Sequence, residues 1–200
     1  MRKPFLKFIE NELGDKFVLI SCGLPSTGKT GISKEIARVK GYPLLRSDLI
    51  RPEVLKDENI FDEKVASDMT KRTAVYDEMF RLADETLKKN DGVILDATFI
   101  SQALRRRAAG IAAKHKLPFI ILETDCPQEV AIRRILARAE KEFESNALTE
   151  QAYLNNKKAF EKVDLTNLKS LYPELAVTYI VVDTTNDPPQ EWYVTGMEKG

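Results

Sequence analysis

The sequence predicts a three-layer α/β sandwich built on a parallel sheet of about five strands. Five short apolar runs, Phe17 to Cys22, Pro43 to Arg46, Val93 to Ala97, Phe119 to Glu123 and Val177 to Val182, alternate with segments carrying apolar residues at helical spacing. Such alternation calls for crossover connections, hence parallel strands with helices over both faces. The runs are nearly continuous in apolar character, as strands buried on both sides must be. A glycine-rich turn, Gly23-Leu24-Pro25-Ser26-Thr27-Gly28-Lys29-Thr30, links the first run to the first long helical segment. At 200 residues and 43% hydrophobic content, one domain over residues 1–200 is expected.

The remaining elements follow in order. Pro4, apolar Phe5, Leu6, Ile9 and Leu13, and the closing Gly14 predict a short amphipathic helix over residues 1–14. Ile32, Ile36 and Val39 stripe the helix after the glycine-rich turn, which Gly41 should end. Val65, Met69, Tyr76, Phe80, Ala83 and Leu87 stripe a long helix before the third strand. Leu104, Ala108 and Ile111 pattern another, and Ile132, Ile135 and Leu136 pattern the helix after the fourth strand. From about residue 139 to 150 the chain turns charged and polar, Glu140-Lys141-Glu142-Phe143-Glu144-Ser145-Asn146, which reads as a mobile lid segment. Thr149 then suits the N-cap of a helix carrying Tyr153, Phe160 and Val163.

Composition narrows the setting. The 31 basic and 31 acidic residues cancel, so no global positive field favours a nucleic acid, although a local patch could still hold one. Cys22 and Cys126 are too few for a disulfide framework and read as free thiols in a reducing compartment. No apolar run approaches the roughly 20 residues that span a bilayer, and Met1-Arg2-Lys3-Pro4-Phe5 has no apolar signal core. A soluble, cytoplasmic protein is expected.

Gly23 to Thr30 is a complete Gly-x4-Gly-Lys-Thr phosphate-binding loop. Its glycines let backbone N–H groups converge on phosphate oxygens at the positive end of the following helix. Gly23, Pro25, Ser26, Thr27, Gly28, Lys29, Thr30 and Gly31 form the expected nucleotide cradle, with Lys29 reaching the β- and γ-phosphates and Thr30 bound to Mg²⁺. A GTPase switch is disfavoured, because the nearest base-reading sequence, Asn156-Lys157-Lys158-Ala159, lacks the aspartate. A hydrolytic ATPase is disfavoured too: Ala97, not a glutamate, follows Asp96.

Transfer of a phosphoryl group to an organic hydroxyl needs a base near that hydroxyl. Ser47-Asp48-Leu49-Ile50-Arg51 after the second strand supplies Asp48 as the base and Arg51, three residues on, for an anionic part of the acceptor. Asp96 ends the third strand, where it can hold Mg²⁺ or orient the acceptor, and Thr98 follows at the rim. Arg105, Arg106 and Arg107 read as a solvated helix face from which one or two could turn into the cleft. Arg134 and Arg138, four apart before the lid, can neutralise charge on ATP as the lid closes. His115, between two lysines, reads as a solvated surface residue.

Together these motifs resemble the kinase-like branch of P-loop, AAA-type ATP-binding proteins that includes polynucleotide 5′-hydroxyl kinases and is related to zeta-toxin-like and gluconate-type kinases. The match covers Phe17 to about Thr185: the Gly-x-Pro-x-x-Gly-Lys-Thr loop, the Ser47-Asp48-x-x-Arg51 element, Asp96 with Thr98, and a Pro127-x-Glu129-Val130 segment leading to Arg134 and Arg138. The resemblance implies a nucleotide-kinase-like P-loop NTPase fold with a helical lid. It also implies Asp48 as general base, Arg51 on the substrate, the lid arginines on ATP, and an adenine pocket near Asp183 to Thr185. A phosphatase or ligase partner domain, as polynucleotide kinases often carry, is not expected within these 200 residues. The expectation is an ATP- and Mg²⁺-dependent kinase acting on a hydroxyl of a small molecule or of a polynucleotide 5′ end. The alternative is an ATP-binding module or ATPase without an acceptor, and oligomeric state is left open.

Overall fold

A computed structural model describes residues 2–56, 60, 65, 68–139 and 149–200, with 138 and 139 as backbone alone. The expected lid segment therefore lies almost wholly outside the described residues, as does the Arg138 side chain. The strands are β1 (Lys3–Pro4), β2 (Phe17–Cys22), β3 (Leu44–Arg46), β4 (Gly92–Asp96), β5 (Phe119–Asp125), β6 (Val177–Asp183) and β7 (Tyr193–Lys199). The helices are α1 (Phe5–Asn11), α2 (Lys29–Lys40), α3 (Ser47–Val54), α4 (Met69–Thr86), α5 (Gln102–Lys114), α6 (Gln128–Ala139), α7 (Glu150–Ala159) and α8 (Leu165–Leu171).

The sheet order is β1-β7-β6-β5-β2-β4-β3, with β3, β4, β2, β5 and β6 parallel as expected. Two strands extend it beyond the expected five. β7 returns antiparallel to β6, and the two residues of β1 pair with Tyr193 and Val194 of β7. The N-terminal segment is thus a strand followed by a shorter helix than the 1–14 reading, while Leu13 stays buried past the helix end.

Period-two alternation splits each central strand between two cores. Val18, Ile20, Val93, Leu95, Phe119 and Ile121 pack with residues of α4 and α5; Phe17, Leu19, Ile94, Ile120 and Leu122 pack under α1 and α2. The long-helix stripe holds for Tyr76, Phe80 and Ala83, joined by Val75 and Met79, but Met69 is exposed. It is the first residue of α4, where the helix emerges from the core. No helix among the described residues is long and apolar enough to cross a membrane.

Candidate active site

Because β4 and β5 flank β2 while the chain visits β3 in between, the sheet has its switch point at β2, and the loop after β2 opens into the crevice at the strands' carboxyl ends. This loop is the glycine-rich segment. Gly23 has φ +135°, and a Cβ there would stand 2.7 Å from the Thr124 carbonyl oxygen. Its N–H donates to Thr98 O at 3.3 Å, tying the loop to the end of β4. Ser26 and Gly28 are also left-handed, at φ 60° and 89°. The first turn of α2 carries neither a side-chain cap nor an acidic residue, so its N–H groups and positive end face the loop.

Two threonines outside the motif hold the loop in shape. Thr27 donates its hydroxyl to Leu24 O at 2.8 Å, and its Oγ1 lies 2.6 Å from Oγ1 of Thr124 at the end of β5. Thr184, just after β6, donates its hydroxyl to Thr27 O at 2.7 Å. Lys29 Nζ donates to Leu24 O at 2.6 Å, which keeps the ammonium over the loop. Gly31, expected in the cradle, also meets the core: a Cβ there would lie 2.8 Å from the Trp192 ring, so the residue is small to admit that indole.

Asp96 is buried and accepts from Ser21 Oγ at 2.9 Å and Thr30 Oγ1 at 2.7 Å, with Arg46 Nε 3.6 Å away. A carboxylate and a hydroxyl of hard oxygen character, side by side beneath the phosphate loop, fit Mg²⁺, which takes few protein ligands and keeps water and phosphate for the rest. No cluster of three or more His, Cys, Asp or Glu exists among the described residues to hold a metal by itself.

Asp48 lies in the first turn of α3, immediately after β3, the strand that pairs with β4. The cap position is Arg46, and no side chain caps the helix, so neither Ser47 nor Asp48 is spent there. Burial and the charge of Asp96 push the Asp48 carboxyl above the usual aspartate range, against the opposing pull of Arg51, Lys29 and Arg46. Arg46 is the register partner of Asp96, so Asp48, two residues on, lies at the Asp96 end of the crevice. Arg51 is partly desolvated, which lowers its pKa, and Asp48 opposes the shift.

Thr98 is half-buried; its carbonyl already serves Gly23, and the next residue, Phe99, has φ 42° with its N–H donated to Tyr76 Oη at 3.1 Å. Arg134 is enclosed by acceptors: Thr184 O at 2.7 Å, Asp187 Oδ1 at 2.8 Å, Thr185 O and Asn186 O at 3.3 Å and Ser26 O at 3.5 Å. It bridges α6, the phosphate loop and the turn after β6, the neighbourhood in which the resemblance implies adenine.

The arginine run is solvated only in part, with Arg106 and Arg107 exposed and Arg105 turned inward. Arg105 is fully buried, donating to Glu161 O at 2.7 Å and Lys162 O at 3.3 Å beneath the Phe160 ring. Arg106 bonds Asn167 and Arg107 bonds Asp77 while covering Phe80, so all three tie α5 to its neighbours. His115 is likewise engaged, 2.8 Å from Asp84 Oδ1 beside Lys114. The cysteines are free and buried as expected, and burial pushes the Cys22 thiol up to about 12.

Sequence reasoning passed over Thr124, Ser21 and Arg46. A polar residue closing an apolar strand run, as Ser21 and Thr124 do, is the local signal that could have marked the first two.

A phosphate loop at the switch point of a mainly parallel sheet defines a P-loop nucleotide-binding fold. A family model described as an AAA domain matches residues 18–163, and the chain belongs to that family. Solved structures of similar fold include a gluconokinase from Sinorhizobium meliloti, at 15% identity and TM-score 0.62 over 88% of this chain and 87% of that one. A sugar kinase from a Janibacter species matches at 17% identity and TM-score 0.63, over 89% and 90%. Kti12 of Chaetomium thermophilum, in complex with ADP-AlF3, matches at 19% identity and TM-score 0.56, over 86% and 92%. The fold is that of P-loop kinase-like proteins.

Proposed function

We propose that the chain is a single-domain, ATP-dependent kinase that moves the γ-phosphoryl group to an alcohol. The observation that carries the reading is Asp48: a carboxylate free of any capping role, raised in pKa, and set electrostatically against Lys29 and Asp96 at the γ-phosphate end of the crevice. The gluconokinase and sugar kinase among the similar folds agree with a small-molecule acceptor.

In this reading the loop N–H groups and Lys29 hold the triphosphate, and Arg134 with Thr184 and Thr185 lines the adenine side. Thr30 and Asp96 would hold Mg²⁺, whose chemistry is to neutralise phosphate charge. Asp48 accepts the proton of the acceptor hydroxyl as its oxygen bonds to the γ-phosphorus, the bond to the β,γ-bridging oxygen breaks, and ADP departs. Arg51 and Thr98 orient the acceptor, Arg138 shares in neutralising charge on ATP, and catalysis comes from positioning and charge neutralisation. Arg134 acts on nucleotide placement more than on the transferred group, because its donors are committed to carbonyls and Asp187. The two free thiols suit a cytoplasmic protein.

The test is a pair of substitutions assayed with labelled ATP against a panel of sugars, nucleosides and a 5′-hydroxyl oligonucleotide. Lys29→Ala is expected to cripple ATP binding, and Asp48→Ala to keep it while abolishing transfer. Transfer at near wild-type rate in Asp48→Ala would refute the base assignment. ATP turnover equal with and without every acceptor would favour the ATPase alternative.

A further inference from the structure

We infer that Arg46 is the resident counter-ion of Asp96, supplying positive charge where Mg²⁺ belongs, and that it yields the carboxylate when the metal arrives with the nucleotide. Arg46 is thus a positioning residue that sets how tightly the site takes Mg²⁺. The inference rests on the assignment of Thr30 and Asp96 to that ion and adds a third residue to it.

Strand register builds the arrangement. Asp96 pairs with Ser21 of β2 on one side and with Arg46 of β3 on the other, and residues in register on neighbouring strands point to the same face of the sheet. Ser21, Asp96 and Arg46 therefore form a row on the face that Ile94 shares with Ile32 and Ile36 of α2, and Thr30 reaches the row from the first turn of that helix. Arg46 both ends β3 and caps α3, so its backbone is fixed by the pairing with Asp96 and only its side chain is left to move.

These neighbours supply different things to the carboxylate. Ser21 and Thr30 each give one hydroxyl, at 2.9 and 2.7 Å on separate oxygens, and no charge. Arg46 gives the charge: among the described residues it is the ion-pair partner of Asp96, with Nε 3.6 Å from Oδ2, the oxygen that Thr30 also serves. The two side chains are only 10% and 5% exposed, so water screens the pair weakly, and a carboxylate this dry is costly without an opposite charge. At 3.6 Å the guanidinium attracts Oδ2 without a hydrogen bond to it, so nothing directional locks the two together. Such a pair neutralises Asp96 in the absence of metal and loosens when a cation of higher charge stands at the same oxygen. Two cations in so dry a place repel each other strongly. Metal binding is thereby made to depend on the nucleotide's phosphates, which supply the negative charge that Arg46 takes away.

The experiment titrates Mn²⁺, a paramagnetic substitute with the same taste for oxygen ligands, into the full chain saturated with ADP and reads free Mn²⁺ by electron spin resonance. Wild type, Arg46→Met, Arg46→Lys and Asp96→Asn are compared, and the melting temperature of each is taken in ADP with EDTA and in ADP with Mg²⁺. Arg46→Met, neutral and of similar reach, should tighten Mn²⁺ binding about tenfold or more, because a like charge has left the site. It should also lose more melting temperature in EDTA than in Mg²⁺, since the metal replaces the missing charge. Arg46→Lys keeps the charge and should bind Mn²⁺ within about threefold of wild type. A residue that merely buttressed Asp96 would give weaker or unchanged Mn²⁺ binding on removal, and either result overturns the inference. So does an equal loss of melting temperature with and without metal, or an Arg46→Met protein that stays unfolded even in Mg²⁺ and ADP. Mn²⁺ binding that is lost in Asp96→Asn but unchanged in Arg46→Met removes this inference and leaves the metal assignment standing, whereas Mn²⁺ binding unchanged in Asp96→Asn removes both.

Discussion

Replacing Thr184 by valine isolates the support of the phosphate loop from the loop itself. The Thr184 hydroxyl serves Thr27 O at 2.7 Å and lies 3.0 Å from Asp125 O, but Asp125 O also accepts the Thr184 N–H at 2.9 Å. Only the Thr27 carbonyl therefore loses its hydroxyl donor, in a residue buried at the heart of the loop. Valine has nearly the same shape, so no cavity term enters and the cost is that of one unsatisfied buried carbonyl, about 1–3 kcal/mol. For a chain of this size each kcal/mol lowers Tm by about 2–4 °C. The same loss recurs in nucleotide binding, since a loosened loop must be reordered on phosphate, and ATP affinity should fall about tenfold for each 1.4 kcal/mol so spent. Scanning calorimetry of the free protein and calorimetric titration with ATP measure the two. Thr184→Ser separates hydroxyl from methyl: it should lose some stability through the missing buried methyl but keep ATP affinity. Wild-type affinity in Thr184→Val, or equal loss in Thr184→Ser, refutes the reasoning.

Gly31→Ala should destabilise the protein by about 1–3 kcal/mol through overpacking against Trp192 and alter its indole fluorescence, with ATP affinity changed only a few-fold; a loss of ATP binding larger than the loss of stability would show that the cradle, not the indole contact, is what the residue mainly serves. The acid limb of kcat/KM should lie above the ordinary aspartate value of 3.8, because Asp48 must be ionised to accept a proton and its pKa is raised, so the rate falls as pH drops through that raised value. A limb at or below 3.8 contradicts the assignment. Asp84 has its pKa lowered to about 2 by hydrogen bonds from Lys114 and His115, so the stability it contributes is complete above 3.8 and lost as pH falls from there towards 2. Urea midpoints followed against pH in wild type and Asp84→Asn should converge in acid, and parallel curves across that window would disprove the linkage.

The strands that the sequence revealed most plainly are the two whose burial is complete, while β3 and β6, also expected, are only partly buried. Phe17–Cys22 and Gly92–Asp96 are buried at every residue, so their apolar character is a local property of the chain. β7 mixes polar and apolar residues through Thr195, Gly196, Glu198 and Lys199, and β1 is two residues long. Neither carries a local signal, because each becomes a strand by pairing with a distant partner at the sheet edge. Helical periodicity located α4 but extended its buried stripe to Met69, since the repeat gives a face and not the point where that face leaves the core. Arg105 looked solvated, like its exposed neighbours Arg106 and Arg107, for a related reason. The Arg105 acceptors Glu161 O and Lys162 O lie 56 and 57 residues away, and nothing local announces buried carbonyls waiting for a guanidinium.

The chain by itself determined the phosphate loop, the parallel core and the residue types at the strand ends, because motif spacing, strand burial and turn glycines are short-range consequences of adjacent residues. Tertiary structure alone decided how those ends become a site. Thr27 meets Thr124 across 97 residues and Thr184 across 157, Thr30 meets Asp96 across 66, and Arg134 reaches the turn after β6. Such contacts depend on the order in which parallel strands lie side by side, and that order arises from packing two helical layers on one sheet, where no local pattern in the sequence can specify it.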